Sequence, residues 1–120
     1  MRSLVVKVTC GSEDAERLNQ GFTVAAAAAV GGAPVSLWLT GEAAWYGVPG
    51  RAEAFSLELA TPLPDLMAAV LASGGTVTVC SQCAARRGIT ESDLREGVVI
   101  AGAAVFAEQV LQDGVQALVY

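Results

Sequence analysis

Thr76-Val77-Thr78-Val79-Cys80-Ser81-Gln82-Cys83-Ala84-Ala85-Arg86-Arg87-Gly88 is the stretch on which the fold turns. Its first four residues are β-branched and read as a strand, and Ala84 to Arg87, closed by Gly88, read as a short helix. A strand passing through a tight turn into a helix is the unit from which parallel sheets are built. The arrangement also leaves Cys80 at the carboxyl end of the strand. In open α/β sheets, working sites lie outside those ends.

The same alternation extends outward in both directions. Ser3 to Thr9 is a nearly continuous apolar strand, and Cys10-Gly11-Ser12 turns the chain into a helix that starts at Ser12 and runs to about Val30, stopping at Gly31-Gly32. The alanines from Ala25 to Ala29 let that helix lie close against a sheet. Pro34 to Thr40 is a second strand, followed by a long loop, Gly41 to Gly50, with room for one helical turn. Phe55, Leu57 and Leu59 alternate as an edge strand would, Pro62 and Pro64 open a helix ending at Gly74-Gly75, and Thr90 to Asp93 suits another helical turn. Ile100 to Gln112 reads as the last long helix, burying Val105, Phe106, Val110 and Leu111, and Val115 to Tyr120 as the final strand. The expectation is one α/β domain over residues 1–120, with a mostly parallel sheet of about five strands wound by right-handed crossovers and covered on both faces.

Composition narrows the function classes. Hydrophobic residues are 53% of the 120-residue chain and charged residues 16%, more apolar material than a lone small domain readily buries, which points to oligomer interfaces. An alternative source of the excess is the chain's many alanines. The net charge is −5 with only seven Lys and Arg and no basic run, so nucleic acid is not an expected partner. No apolar stretch reaches membrane-spanning length, and Lys7, Glu13 and Asp14 break the pattern of a signal peptide, so a cytoplasmic protein is expected.

Three cysteines and no histidine restrict the chemistry further. Cysteine-histidine and serine-histidine mechanisms are excluded within the chain, and an odd cysteine count does not describe a disulfide scaffold. No phosphate-binding glycine motif is present, and no cofactor or metal is expected. A thiol at the first turn of a helix faces free backbone N–H groups, which favour the thiolate. The Cys80-x-x-Cys83 pair admits three readings. It is half of a zinc site lacking its other half, a dithiol in which Cys83 resolves a disulfide at Cys80, or a sulfur carrier in which Cys80 holds a persulfide. Cys10 and Gly11 end the first strand, Glu42 and Trp45 with Tyr46 follow the second, and Arg86 and Arg87 follow Cys83, so these residues are the candidate neighbours of the site. Cys10 reads first as a packed small residue and Glu42 by default as a solvated loop residue, whereas the two aromatics read equally well as caps on the core.

The segment Thr78-Val79-Cys80-x-x-Cys83-Ala84-x-Arg86-Arg87-Gly88-Ile89 resembles the cysteine segment of the DsrE/DsrF-like family of small sulfur-metabolism proteins. Supporting pieces follow in the family's order: Val6-Lys7-Val8-Thr9 into Gly11, the helix to Gly31, Val35 through Glu42, and Leu94 through Val98. The resemblance implies an α/β/α sandwich of three layers that assembles as a homotrimer or homohexamer. It implies a persulfide on the cysteine aligned with Cys80, eight residues before Gly88, with a sulfur donor or acceptor protein as partner. Cys83 matches only some branches of the family. The expected function is therefore sulfur transfer at Cys80. The alternatives are a thiol redox protein cycling Cys80–Cys83, and a non-catalytic oligomeric module binding a ligand or partner through Trp45 and Tyr46.

Overall fold

A computed structural model describes all 120 residues. Strand β1 (Ser3–Val8) leads through a short turn of 3-10 helix into α1 (Ala15–Val30) and then β2 (Val35–Leu39). A 3-10 segment, Gly41–Gly47, precedes α2 (Arg51–Ala54) and α3 (Leu63–Ala72). Next come β3 (Thr76–Cys80), α4 (Ser81–Arg86), β4 (Val98–Ala101), α5 (Ala103–Val110) and β5 (Val115–Val119). The five strands lie in the order β4-β3-β2-β1-β5, and every adjacent pair is parallel. This is the α/β class expected from the sequence.

The order explains where the helices go. From β1 to β4 the chain advances one strand at a time in one direction, so right-handed crossovers place α1, α3 and α4 on one face. The step from β4 to β5 runs back across the sheet and puts α5 on the other face. The two faces are packed very differently. Val6 and Val8 point inward from β1 and meet Leu37, Leu39, Val77 and Val79 beneath α1 and α3, in a core of 24 buried residues against which the partly buried Leu4 packs. Gly21 lets α1 approach closely, because a Cβ there would stand 2.5 Å from a Val8 methyl, and Ala25, Ala26 and Ala29 are buried beside it.

The opposite face carries Val5 and Lys7 of β1, Ser36 and Trp38 of β2, Thr76 and Thr78 of β3, and Val99 of β4. Only α5 covers it. Phe106 meets Trp38 edge-on at 5.3 Å, and the Gln109 side-chain carbonyl accepts hydrogen bonds from Trp38 Nε1 and Ser36 Oγ, each at 2.9 Å. Val99, Val105 and Val119 remain exposed.

Two expectations from the sequence are corrected. The strand beyond β3 is Val98–Ala101 rather than Phe55 to Leu59. Phe55 instead packs edge-on against Tyr46, and Leu59 is fully exposed with a positive φ of 63°, so this alternation has no strand to pair with. The last helix is correspondingly shorter, Ala103–Val110, because Ile100 and Ala101 belong to β4. Phe106 and Val110 are half-buried, whereas Val105 and Leu111 lie in solvent.

Candidate thiol site

The site forms where two neighbouring strands part. At the carboxyl end of β3 the chain turns into α4 on the core face, while at the end of β4 it turns into α5 on the other. In open α/β sheets, adjacent strands that leave in opposite directions mark the position at which working sites lie. Cys80 pairs in register with Ala101 at this position. The approach there is close, since a Cβ on Gly102 would lie 3.2 Å from Ser81 Oγ.

Cys80 is half-buried and immediately precedes α4, with extended backbone angles of −63° and 129°. Burial alone raises its pKa, but hydrogen bonds to the sulfur from Cys83, by both backbone N–H and side chain, and from the Gln82 backbone N–H oppose that effect, with a smaller contribution from the Lys7 charge. The net result lies below the ordinary thiol value. An anionic sulfur is thereby favoured without an imidazole or a metal.

Cys83 lies one turn into α4, and the Gly41 backbone N–H donates to its sulfur at 3.1 Å. Gly41 can do this because it takes a left-handed φ of 55° and runs so close to β1 that a Cβ would stand 2.5 Å from the Thr9 carbonyl oxygen. Beside it, Arg87 donates through Nε and Nη2 to one oxygen of Glu42, at 2.9 and 2.7 Å, and through Nη1 to the Cys83 carbonyl at 3.1 Å. Gly11 packs against Glu42, where a Cβ would meet the Glu42 Cβ at 2.9 Å. Gly11, Gly41, Glu42, Cys83 and Arg87 thus form one connected wall around the start of α4.

The other candidates lie apart from this wall. Cys10 is buried, and its S–H points at the Asp14 carbonyl oxygen at 3.8 Å. Burial, reinforced by the charges of Glu13 and Asp14, pushes that thiol up. Tyr46 is buried between Phe22 and Phe55, while Trp45 lies beneath the Arg51 guanidinium at 4.0 Å. Arg86 is exposed and forms no ion pair. The three cysteines are free thiols, and no three His, Cys, Asp or Glu side chains converge to hold a metal ion.

Sequence reasoning passed over two groups at the site. The Gly41 N–H is a backbone donor, invisible in residue type. Lys7 left a signal in the alternation of β1, which places it on the same side as Val5 and away from the core. Thr78 and Cys80 alternate toward that side along β3, so a cation and a thiol two strands apart share one face.

Known structures contain the same arrangement of elements. The chain superposes on the YchN protein of E. coli with a TM-score of 0.83 at 20% identity, covering all of both chains. It superposes on MTH1491 of Methanobacterium thermoautotrophicum, a protein of unknown function, with a TM-score of 0.72 at 12% identity, again over both whole chains. The corresponding values for BT1422 of Bacteroides thetaiotaomicron, likewise of unknown function, are 0.65 and 17%, over 99% of this chain and 95% of that one. At such identities the likeness concerns the fold alone. No curated protein matches the sequence. No helix is long and apolar enough to cross a membrane. The DsrE/DsrF-like family profile matches residues 3–120, from the first strand through the last, and on that match the chain belongs to the DsrE/DsrF-like family.

Proposed function

We propose that the protein is a sulfur carrier in which Cys80 accepts a sulfane sulfur and passes it on. The observation that carries this reading is the place of Cys80, the last residue of β3 and the residue before α4, where the N–H groups of the first helical turn and the neighbouring Cys83 favour its thiolate. Loading needs no cofactor: Cys80–S⁻ attacks the outer sulfur of R–S–SH, giving Cys80–S–SH and releasing R–S⁻. Delivery is the same step with Cys80 as donor. Three free thiols suit a reducing, cytoplasmic setting. The exposed Val99, Val105 and Val119 around a thinly covered face support assembly as a homotrimer or homohexamer, which light scattering during gel filtration would measure.

A second reading rests on Cys83 lying in the first turn of α4, next to Cys80, whose thiol it helps to hold below the ordinary value. After loading, the Cys83 thiolate can attack the inner sulfur of Cys80–S–SH, forming the Cys80–Cys83 disulfide and releasing HS⁻. A thiol-disulfide cycle with an external disulfide as oxidant would use the same pair. Intact-mass spectrometry after exposure to a loaded desulfurase or polysulfide separates the two. A gain of one sulfur that disappears in Cys80→Ser and persists in Cys83→Ser is the expected result. Loss of two hydrogens in the wild type, with no sulfur gained by Cys83→Ser, would replace the carrier with the redox cycle.

A further inference from the structure

Lys7 is the chain's one lysine, and it occupies an unusual place. It sits on β1, the strand between β2 and β5, flanked in register by Trp38 and Val119. Lys7 is half-buried, and its ammonium lies 4.8 Å from the centre of the Phe106 ring. The ion pairs in the molecule join Arg17 to Asp14, Arg87 to Glu42 and Arg95 to Glu53, so Lys7 has no carboxylate partner. A cation resting on an aromatic ring keeps most of its field for other groups on that face. The group on that face able to become an anion at its carboxyl end is Cys80, reached by alternation through Thr78.

The need for such a charge follows from the overall balance. The chain carries a net charge of −5, so an anionic sulfur donor approaching it is repelled by the protein as a whole. We propose that Lys7 is a specificity-determining residue of the Cys80 site, whose field attracts anionic sulfane-sulfur groups and steadies the anionic sulfur once Cys80 carries it. This proposal rests on the carrier reading for its substrate, but its electrostatic content can be measured separately. Lys7 positions charge and does not exchange atoms with the substrate.

The test compares two alkylating reagents of nearly equal size at one pH and low salt. Cys80–S⁻ displaces iodide from neutral iodoacetamide or from anionic iodoacetate, and peptide mapping follows Cys80 alone. Lys7→Met keeps an unbranched apolar side chain over Phe106, and Lys7→Arg keeps the charge. The expected result is that Lys7→Met lowers the iodoacetate-to-iodoacetamide rate ratio about three- to fivefold, that Lys7→Arg restores it, and that added salt compresses the difference. An unchanged ratio in a folded Lys7→Met protein would overturn the proposal, whatever happens to sulfur loading. If Lys7→Met does not fold, an unchanged ratio in a folded Lys7→Gln protein overturns it equally. Loading with inorganic polysulfide and with a persulfidated desulfurase should slow in parallel in Lys7→Met. If the ratio falls but neither donor loads wild-type Cys80, the carrier reading fails and the assignment of the donor class fails with it.

Discussion

Cys10 and Cys80 occupy comparable places, Cys10 two residues beyond β1 and Cys80 at the end of β3, each shortly before a helical turn, yet their surroundings act in opposite directions. The Cys10 thiol is buried and donates a hydrogen bond to a backbone carbonyl, with two carboxylates close by in sequence. The Cys80 thiol is held below its ordinary value by the N–H groups of the first turn of α4 and by Cys83, with a lysine on its side of the sheet. Strand-end position therefore does not make a thiol reactive. What matters is whether the local groups donate to the sulfur or accept from it, and which charge they bring.

The largest expected effect is kinetic. In the native protein at neutral pH, Cys80 should react with iodoacetamide about a hundredfold faster than Cys10, and the two should converge in denaturant. Equal native rates, read by peptide mapping, would erase the contrast. A smaller effect distinguishes the two surroundings through their glycines. Gly21→Ala on the Cys10 side presses a methyl group against Val8, and Gly41→Ala on the Cys80 side presses one against the Thr9 carbonyl in a left-handed conformation. Each should cost about 1–3 kcal/mol in denaturant titrations, but only Gly41→Ala should also change Cys80 reactivity, because it disturbs the donor to Cys83.

Glu42→Gln is expected to matter less. The Glu42 carboxylate is about half exposed, at 53%, so losing its pair with Arg87 should shift stability by less than about 1 kcal/mol. The smallest effect is one of sign. Cys80 ionises more readily folded than unfolded, so its contribution is present above the ordinary thiol value near 9.0 and lost as pH falls through the folded value. The raised Cys10 contributes below that ordinary value, and its contribution is lost as pH rises through the folded one. Between pH 7 and 10, wild type should therefore gain stability relative to Cys80→Ser and lose it relative to Cys10→Ser. Parallel trends in the denaturation midpoints would contradict the opposed surroundings.

The strands β1, β2 and β3 and the helices α1 and α3 were legible because each carries a run or a spacing that one periodicity explains. The strand β4 was not, because Val98-Val99-Ile100-Ala101 is four residues long and runs straight into apolar helix spacing. Phe55, Leu57 and Leu59 show the reverse failure. Their alternation suits a strand, but Phe55 is needed against Tyr46 and no neighbouring edge receives the segment. At the site, Cys80 and Cys83 were readable from adjacency in sequence. The contacts of Glu42 with Arg87 and of Gly41 with Cys83 cross 45 and 42 positions, distances over which residue type alone carries no pairing information.

The return of β5 to the side of β1 also has a consequence for the order of assembly. The pairs that build β1, β2, β3 and β4 each join strands consecutive in sequence, whereas Ser3 finds Val115 across nearly the whole chain. Closing so long a loop costs more entropy than closing the short ones, so non-local pairing is expected late in folding. Pulsed hydrogen exchange during refolding should then protect β3 amides before those of β5, and simultaneous protection would refute the sequence of events. On this route the turn that bears Cys80 is complete while the α5 layer is still open, and the nascent chain acquires its thiol before it encloses the face on which Lys7 lies.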